Sequence, residues 1–534
     1  MTIHPTIRAG FGLAVFCIAT VLVEYGNPDH RPMALVLAGG GVLCMVSALL
    51  TSRPKLHHKI RDALDAALLR WSDSDLFTVR DLLSGGAAIF GRTGSGKTSS
   101  SGKALAKAIV GYGNSGGLIL AAKPEDTDMW RRIFADAGRA DDLLIFSPDN
   151  PTPLRFNFLA YEMACGGHTR NITRCITTIG ETLRSSSDSA SGENADFWQR
   201  EQERLIFNAV EVVKLATGKV SAPELQRFIS TAAMNPLQIG SAEWQSQFHN
   251  QILKAAWEKE KSPIEQHDFE LAKEFWLGEF PNMADKTRSS ILTGVLGILH
   301  VFNTGVVREL VSTTTNVTPD DMFAGKWVLI DMAPAEWGDI GNFVCAGWKY
   351  LCQRAVLRRH ATDGDAINVI WCDEAQLFTN SHDAHYIAQC RSHKGCMVFL
   401  TQSLHSYYSA MPGETGRHHA DALLTNFHHK VFHALGDVQT AEMASGLIGK
   451  ELRTFIGGSM APQENMMDEL MGRSQYTGSF NQHFEKVLQD NVFINGLRTG
   501  GHANGLLCDC IVVRSGEPFA SGQNYLMTSF SQRG

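Results

Sequence analysis

Gly85-Gly86-Ala87-Ala88-Ile89-Phe90 runs directly into Gly91-Arg92-Thr93-Gly94-Ser95-Gly96-Lys97-Thr98, and Ser99 to Val110 follows with a helix-compatible pattern. The first part is a short apolar strand. The second is G-x-x-x-x-G-K-[ST], standing between strand and helix, the context that gives this motif its meaning. Its glycines let the main chain curl so that N–H groups face an anion, and the helix N-terminus adds partial positive charge. The candidate nucleotide cradle is therefore Gly91, Arg92, Thr93, Gly94, Ser95, Gly96, Lys97, Thr98 and Ser99. Lys97 is expected to reach the β- and γ-phosphates and Thr98 to ligate Mg²⁺. The bland alternative is an ordinary Gly-rich turn.

A phosphate cradle needs an acidic partner on a neighbouring strand. Ile367-Asn368-Val369-Ile370-Trp371-Cys372-Asp373-Glu374 supplies one, an apolar run ending in two carboxylates. Asp373 is expected to hold the Mg²⁺ shell and Glu374 to polarise the attacking water. A solvated strand end is the competing explanation of such a pair. A further strand, Cys396 to Gln402, follows about thirty residues on. Parallel strands deliver their C-terminal ends to the ligand, so Gln402 is placed to bond both γ-phosphate and lytic water. Before it stands Arg391-Ser392-His393-Lys394-Gly395. Arg391 is either an arginine finger reaching a neighbouring subunit's nucleotide or a basic helix end favoured by the helix dipole. With no N-K-x-D element for guanine, ATP is the expected nucleotide.

The 534 residues allow three to four structural units, and 44% apolar with 19% charged residues excludes a disordered or low-complexity chain. A net charge of −7 excludes bulk electrostatic grip on nucleic acid. Eleven scattered cysteines without a C-x-x-C read as buried thiols of a reduced domain. The histidine pairs His57/His58, His418/His419 and His428/His429 lack metal-ligand spacing, and no G-x-S-x-G elbow suggests a hydrolase triad.

Two uncharged runs, Ala9 to Val23 and Met33 to Ser52, are joined by the turn-rich stretch Glu24 to Pro32. Arg53, Lys55, Lys59 and Arg61 follow the second. Length and the positive-inside rule predict an N-terminal transmembrane helical hairpin with both ends in the cytoplasm. A cleaved signal peptide and buried core helices are the alternatives.

The order of elements resembles the TraG/TraD-type coupling proteins of conjugative type IV secretion, members of the FtsK/HerA class of ring-forming DNA motors. It is carried by G-R-T-G-S-G-K-T, the strand Leu118 to Glu125, Leu144-Ile145-Phe146, and Arg155-Phe156-Asn157-Phe158-Leu159. I-W-C-D-E-A-Q, R-S-H-K-G-C-M-V-F-L-T-Q-S and Thr425 to Phe432 complete it. Ala122 stands where the family usually has an acid, and F-N-F-L replaces F-N-P-L. The resemblance implies an α/β RecA-like P-loop domain with an inserted all-helical domain, using ATP and Mg²⁺. It implies a homo-hexamer at the bacterial inner membrane, its ATPase portion in the cytoplasm. DNA, relaxase or relaxosome proteins and type IV secretion channel components are the implied partners.

The expected organisation is a two-helix membrane anchor over 1–54, the ATPase domain over 55–160 and 322–534, and the helical insertion over 161–321. The insertion carries a Ser-rich link, Ser185 to Gly192, and helical patterning such as Phe197 to Phe207. From Ala160 to Asp321 there are 15 basic and 21 acidic residues, a balance of −6 that suits a protein-docking surface better than a DNA grip. Lys286 and Arg288 are the local exception, candidates to face a central channel. Two other readings stay open on the sequence: a substrate receptor using nucleotide for assembly, and an ATP-driven protein exporter. A third, a soluble HerA-like repair or defence motor, fails if the N-terminal hairpin inserts into membrane.

Overall fold

Apolar runs of four to seven residues, each followed by a helix-forming stretch, build a sheet covered on both faces. The computed structural model describes residues 62–184, 195–411, 413–460 and 476–533. The expected membrane hairpin and the Ser-rich link lie outside the described residues. Among these, no single helix is long and apolar enough to cross a bilayer.

A small antiparallel pair, β1 (Ala67–Arg70) and β2 (Leu76–Thr78), leads into the main sheet. Its strands are β3 (Ala87–Phe90), β4 (Ser115–Leu120), β5 (Leu143–Phe146), β6 (Trp327–Ile330), β7 (Ile367–Cys372), β8 (Gly395–Thr401) and β9 (His429–Phe432). A two-stranded ribbon, β10 (Lys450–Met460) with β11 (Tyr476–Lys486), follows, and β12 (Leu507–Arg514) and β13 (Tyr525–Ser531) close the chain. The spatial order of the nine-stranded sheet is β13-β12-β9-β3-β8-β7-β4-β6-β5. From β9 to β5 all neighbours are parallel; β12 and β13 add antiparallel at one edge.

Strand period places alternate residues on opposite faces. Ala87, Ile89, Ile119, Trp371 and Val398 face one core, where Trp130 stacks on Trp327 and meets Trp371 edge-on at 5.2 Å. Ala88, Phe90, Leu118, Leu120, Ile370 and Phe399 face the other, which continues without a break into the helices between β5 and β6. Asn157 caps the first of these, Phe158–Ala164, and Phe158 packs so close to Gly347 that a Cβ there would lie 2.1 Å from its ring. Ser221 and Ser262 cap later helices, each with proline in the first turn.

Arg288 does not face a channel. It is buried in the first turn of Asp285–Asn303, donating to the Pro281 and Met283 carbonyls and pairing with Asp285. These carbonyls turn inward as the chain enters the helix, so the guanidinium is spent on them. Lys286 is exposed.

Behind β7 lies a wholly buried ion pair, Lys349 to Asp383 at 2.6 Å. Lys349 also donates to the Phe378 carbonyl, and Asp383 accepts from Gln353 Nε2 at 2.7 Å and the Asn380 N–H at 2.9 Å. This network anchors the segment leaving β7. Lys349→Met removes the counter-charge of a wholly buried carboxylate and is expected to cost about 3–5 kcal/mol of stability. Urea denaturation checks this; a loss under about 1 kcal/mol would show that Gln353 and the Asn380 N–H satisfy Asp383 alone.

Candidate nucleotide site

The cradle hangs from the C-terminal end of β3. Its first N–H groups tie it to both neighbours, Gly91 to the Thr401 carbonyl at 3.1 Å and Arg92 to the Ala434 carbonyl at 2.9 Å. Gly94 and Gly96 turn through positive φ, 75° and 87°, which side chains strongly disfavour. The helix then opens with a wide turn over Thr98–Gly102, in which the Gly102 N–H reaches the Lys97 carbonyl at 2.9 Å. Such wide turns recur at functional sites. Lys103–Gly111 continues it as an ordinary α-helix.

The acidic strand is not next to the cradle strand. β8 lies between β3 and β7, correcting the expectation of direct neighbours. The insertion gives Gln402, one residue past β8, access to both sides. Its Nε2 donates to both carboxylate oxygens of Glu374 at 3.2 Å, and its Oε1 accepts from Thr93 Oγ1 at 3.3 Å.

Lys97 and Glu374, each 7% exposed, form an ion pair at 2.9 Å. Thr98 Oγ1 donates to Asp373 Oδ2 at 3.0 Å. A hydroxyl and a carboxylate side by side are hard oxygen donors of the kind Mg²⁺ takes, so the residues fit the expected cation. Thus Thr93, Lys97, Thr98, Asp373, Glu374 and Gln402 converge, although up to 309 positions separate them.

Glu374 sits at φ 46°, left-handed for a non-glycine residue. That conformation costs roughly 1–2 kcal/mol and is stored where the chain turns out of β7. Burial pushes its carboxyl up, but hydrogen bonds from Gln376, Lys97 and Gln402 and the Lys97 charge outweigh this and hold it below the ordinary glutamate range. Asp373 is shifted up, by burial first, with Lys97 opposing and Glu374 adding.

Gln376 was missed by reasoning on the sequence. Its Nε2 donates to Glu374 Oε2 at 2.9 Å while its Oε1 accepts from Thr401 Oγ1 at 2.9 Å. Asp126 was missed too. It follows β4, is raised to about 6 by burial and then by Asp373, and accepts from the Ala122 and Lys123 N–H groups. Behind the cradle, Ser101 Oγ lies 2.7 Å from His433 Nε2, and His433 Nδ1 lies 3.0 Å from the Asp509 carbonyl. None of these has a local sequence signal beyond its proximity to a motif.

Arg391 stands apart. It precedes β8, whereas Gln402 follows it, and seven residues of strand put about 20 Å between the two ends. It is exposed beside His393 and Ser392, remote from its own chain's cradle.

A parallel sheet with a phosphate loop on one strand, a Gln-ended strand beside it and an acidic strand beyond defines a RecA-like P-loop α/β fold. Solved structures of the plasmid coupling protein TrwB share it. The unbound monoclinic form has a TM-score of 0.52 at 15% identity, covering 85% of this chain and 88% of that one. The form in complex with ADP and Mg²⁺ has 0.51 at 14% over 85% and 88%. The form with the non-hydrolysable analogue ADPNP has 0.52 at 15% over 84% and 86%. Two family models match the sequence: "Type IV secretory system Conjugative DNA transfer" over residues 75–320, and "TraM recognition site of TraD and TraG" over 369–482. The chain belongs to the TraG/TraD-type coupling proteins of conjugative DNA transfer. No curated protein is significantly similar in sequence.

Proposed function

We propose that this protein is a membrane-anchored, ring-forming ATPase that couples ATP hydrolysis to delivery of DNA, with attached relaxase, to a type IV secretion channel. The observation that carries the hydrolytic part is the convergence of Lys97, Glu374 and Gln402 within hydrogen-bonding distance. A protein that only holds nucleotide has no use for a carboxylate so placed and so poised. Mg²⁺-ATP, when bound, supplies the γ-phosphoryl group as electrophile. Lys97 then exchanges its partner, leaving Glu374 for the phosphates. That frees the carboxylate to accept a proton from water, while Gln402, bonded to it, orients the water. Thr98 and Asp373 would hold the cation.

Membership of the coupling-protein family supports DNA as cargo, the inner membrane as location and relaxosome proteins as partners. Ring closure, as a hexamer, would bring Arg391 to a neighbour's site. The acidic helical segment supports a second reading, an ATP-dependent receptor or pump for protein substrates.

The test is ATP turnover by the full chain in detergent, over a range of protein concentrations, without DNA and with single-stranded or duplex DNA. Turnover per subunit rising with both concentration and DNA is expected. Lysine-dependent turnover indifferent to DNA, with a ring shown to form, would shift the reading to protein cargo. In the same assay, mixed Arg391→Ala and Lys97→Ala subunits should recover activity at some interfaces. No recovery in proven mixed rings removes the finger.

A further inference from the structure

The cradle has two flanks, and the catalytic residues occupy only one. Glu374 and Gln402 belong to β7 and β8; on the other side of β3 lie β9, β12 and β13. There the segment that follows β13 reaches the cradle. Gln532, one residue past β13, donates from Nε2 to Ser99 Oγ at 2.8 Å across 433 positions. Its Oε1 accepts the Gly501 N–H at 2.8 Å, and its own N–H donates to the Leu506 carbonyl at 2.8 Å.

The contact is closely packed. A Cβ on Gly96 would lie 2.3 Å from Cys508 Sγ. A Cβ on Gly500 would lie 2.4 Å from Gln532 Oε1 and 2.6 Å from Cys508 Sγ. Glycine at 96 lets the loop's main chain come against the Cys508 side chain, and glycine at 500 leaves room for the Gln532 carboxamide. The carboxamide is therefore aimed, with its oxygen held by Gly501 and its nitrogen presented at the cradle.

We propose that Gln532 is a nucleotide-binding residue that serves the α-phosphate and nucleoside end of the ligand. This rests on the reading of the cradle as an ATP site. With the γ-phosphate placed by Lys97, Glu374 and Gln402, the rest of the nucleotide leaves over the opposite flank. Ser99 and Gln532 stand there, followed by the exposed cation Arg533. The Nε2–H donor that holds Ser99 Oγ turns to a phosphate oxygen bound beside it, a charge-assisted hydrogen bond.

Gln532→Glu separates this role from a structural one. It keeps the oxygen that accepts the Gly501 N–H, removes the donor and adds a charge that repels phosphate. In the full chain, affinity for ADP with Mg²⁺, by titration calorimetry, should weaken at least about tenfold, the loss of one hydrogen bond to a charged group. The turnover number at saturating ATP should stay within about twofold and the melting temperature should not change. Gln532→Ala gives a second, uncharged variant and should weaken affinity less, with the same split. Wild-type affinity in either folded variant overturns the proposal. So does a parallel fall of affinity, turnover number and melting temperature in both, which marks a packing role. If wild-type protein does not bind ADP, or Lys97→Ala binds it equally well, the ATP-site reading fails, and this proposal fails with it.

Discussion

Lys97→Ala is expected to lower ATP turnover by at least about a thousandfold, the size that follows when the principal cation on a transferring phosphoryl group is removed. Lys97 is buried, and it is the cation in contact with Glu374. Its loss removes charge stabilisation at the β- and γ-phosphates and leaves the carboxylate facing them unopposed. Folding is expected to survive. Glu374 keeps the Gln376 and Gln402 donors, so no buried charge is left without a hydrogen bond. Steady-state hydrolysis with a parallel melting curve checks both halves. Turnover within tenfold of wild type would place hydrolysis elsewhere in the chain.

Glu374→Gln separates binding from chemistry. The side chain keeps its shape and can still bond Gln402, but it no longer accepts a proton. Loss of a positioned general base costs roughly 10²–10⁴-fold. The turnover number should fall by about that much while affinity for the non-hydrolysable analogue ADPNP stays the same or tightens, because a negative charge near the γ-phosphate has gone. The reverse pattern, weak binding with an unchanged turnover number, would make Glu374 an electrostatic gate rather than the base. Gln376 bonds the Glu374 oxygen that Lys97 does not, and its contact with Thr401 ties that carboxylate to β8.

Much of this site was legible without coordinates because its parts are local. A strand buried on both faces is a continuous apolar run, which is why β3, β7 and β8 stand out. The cradle is a single loop whose spacing is its geometry, so Gly91 to Ser99 could be named from the chain alone. The long charged and apolar stretches between β5 and β6 likewise announce helices through their spacing and caps. Arg288 shows the limit. Its charge makes it a candidate to face a central channel, but the carbonyls of Pro281 and Met283 turn inward to meet it. Nothing in the order of residues announces that bend.

What the sequence determined by itself is therefore the chemistry available: a phosphate cradle, two strand-end carboxylates and a strand-end glutamine. Each follows from residues adjacent in the chain, where spacing and periodicity act directly. What only the tertiary structure decided is who meets whom. The placement of β8 between β3 and β7, Gln376 buttressing Glu374, Arg391 at the far end of its strand, and Gln532 at Ser99 all depend on sheet order and chain return. These follow from packing both faces of one sheet, a condition on the whole chain.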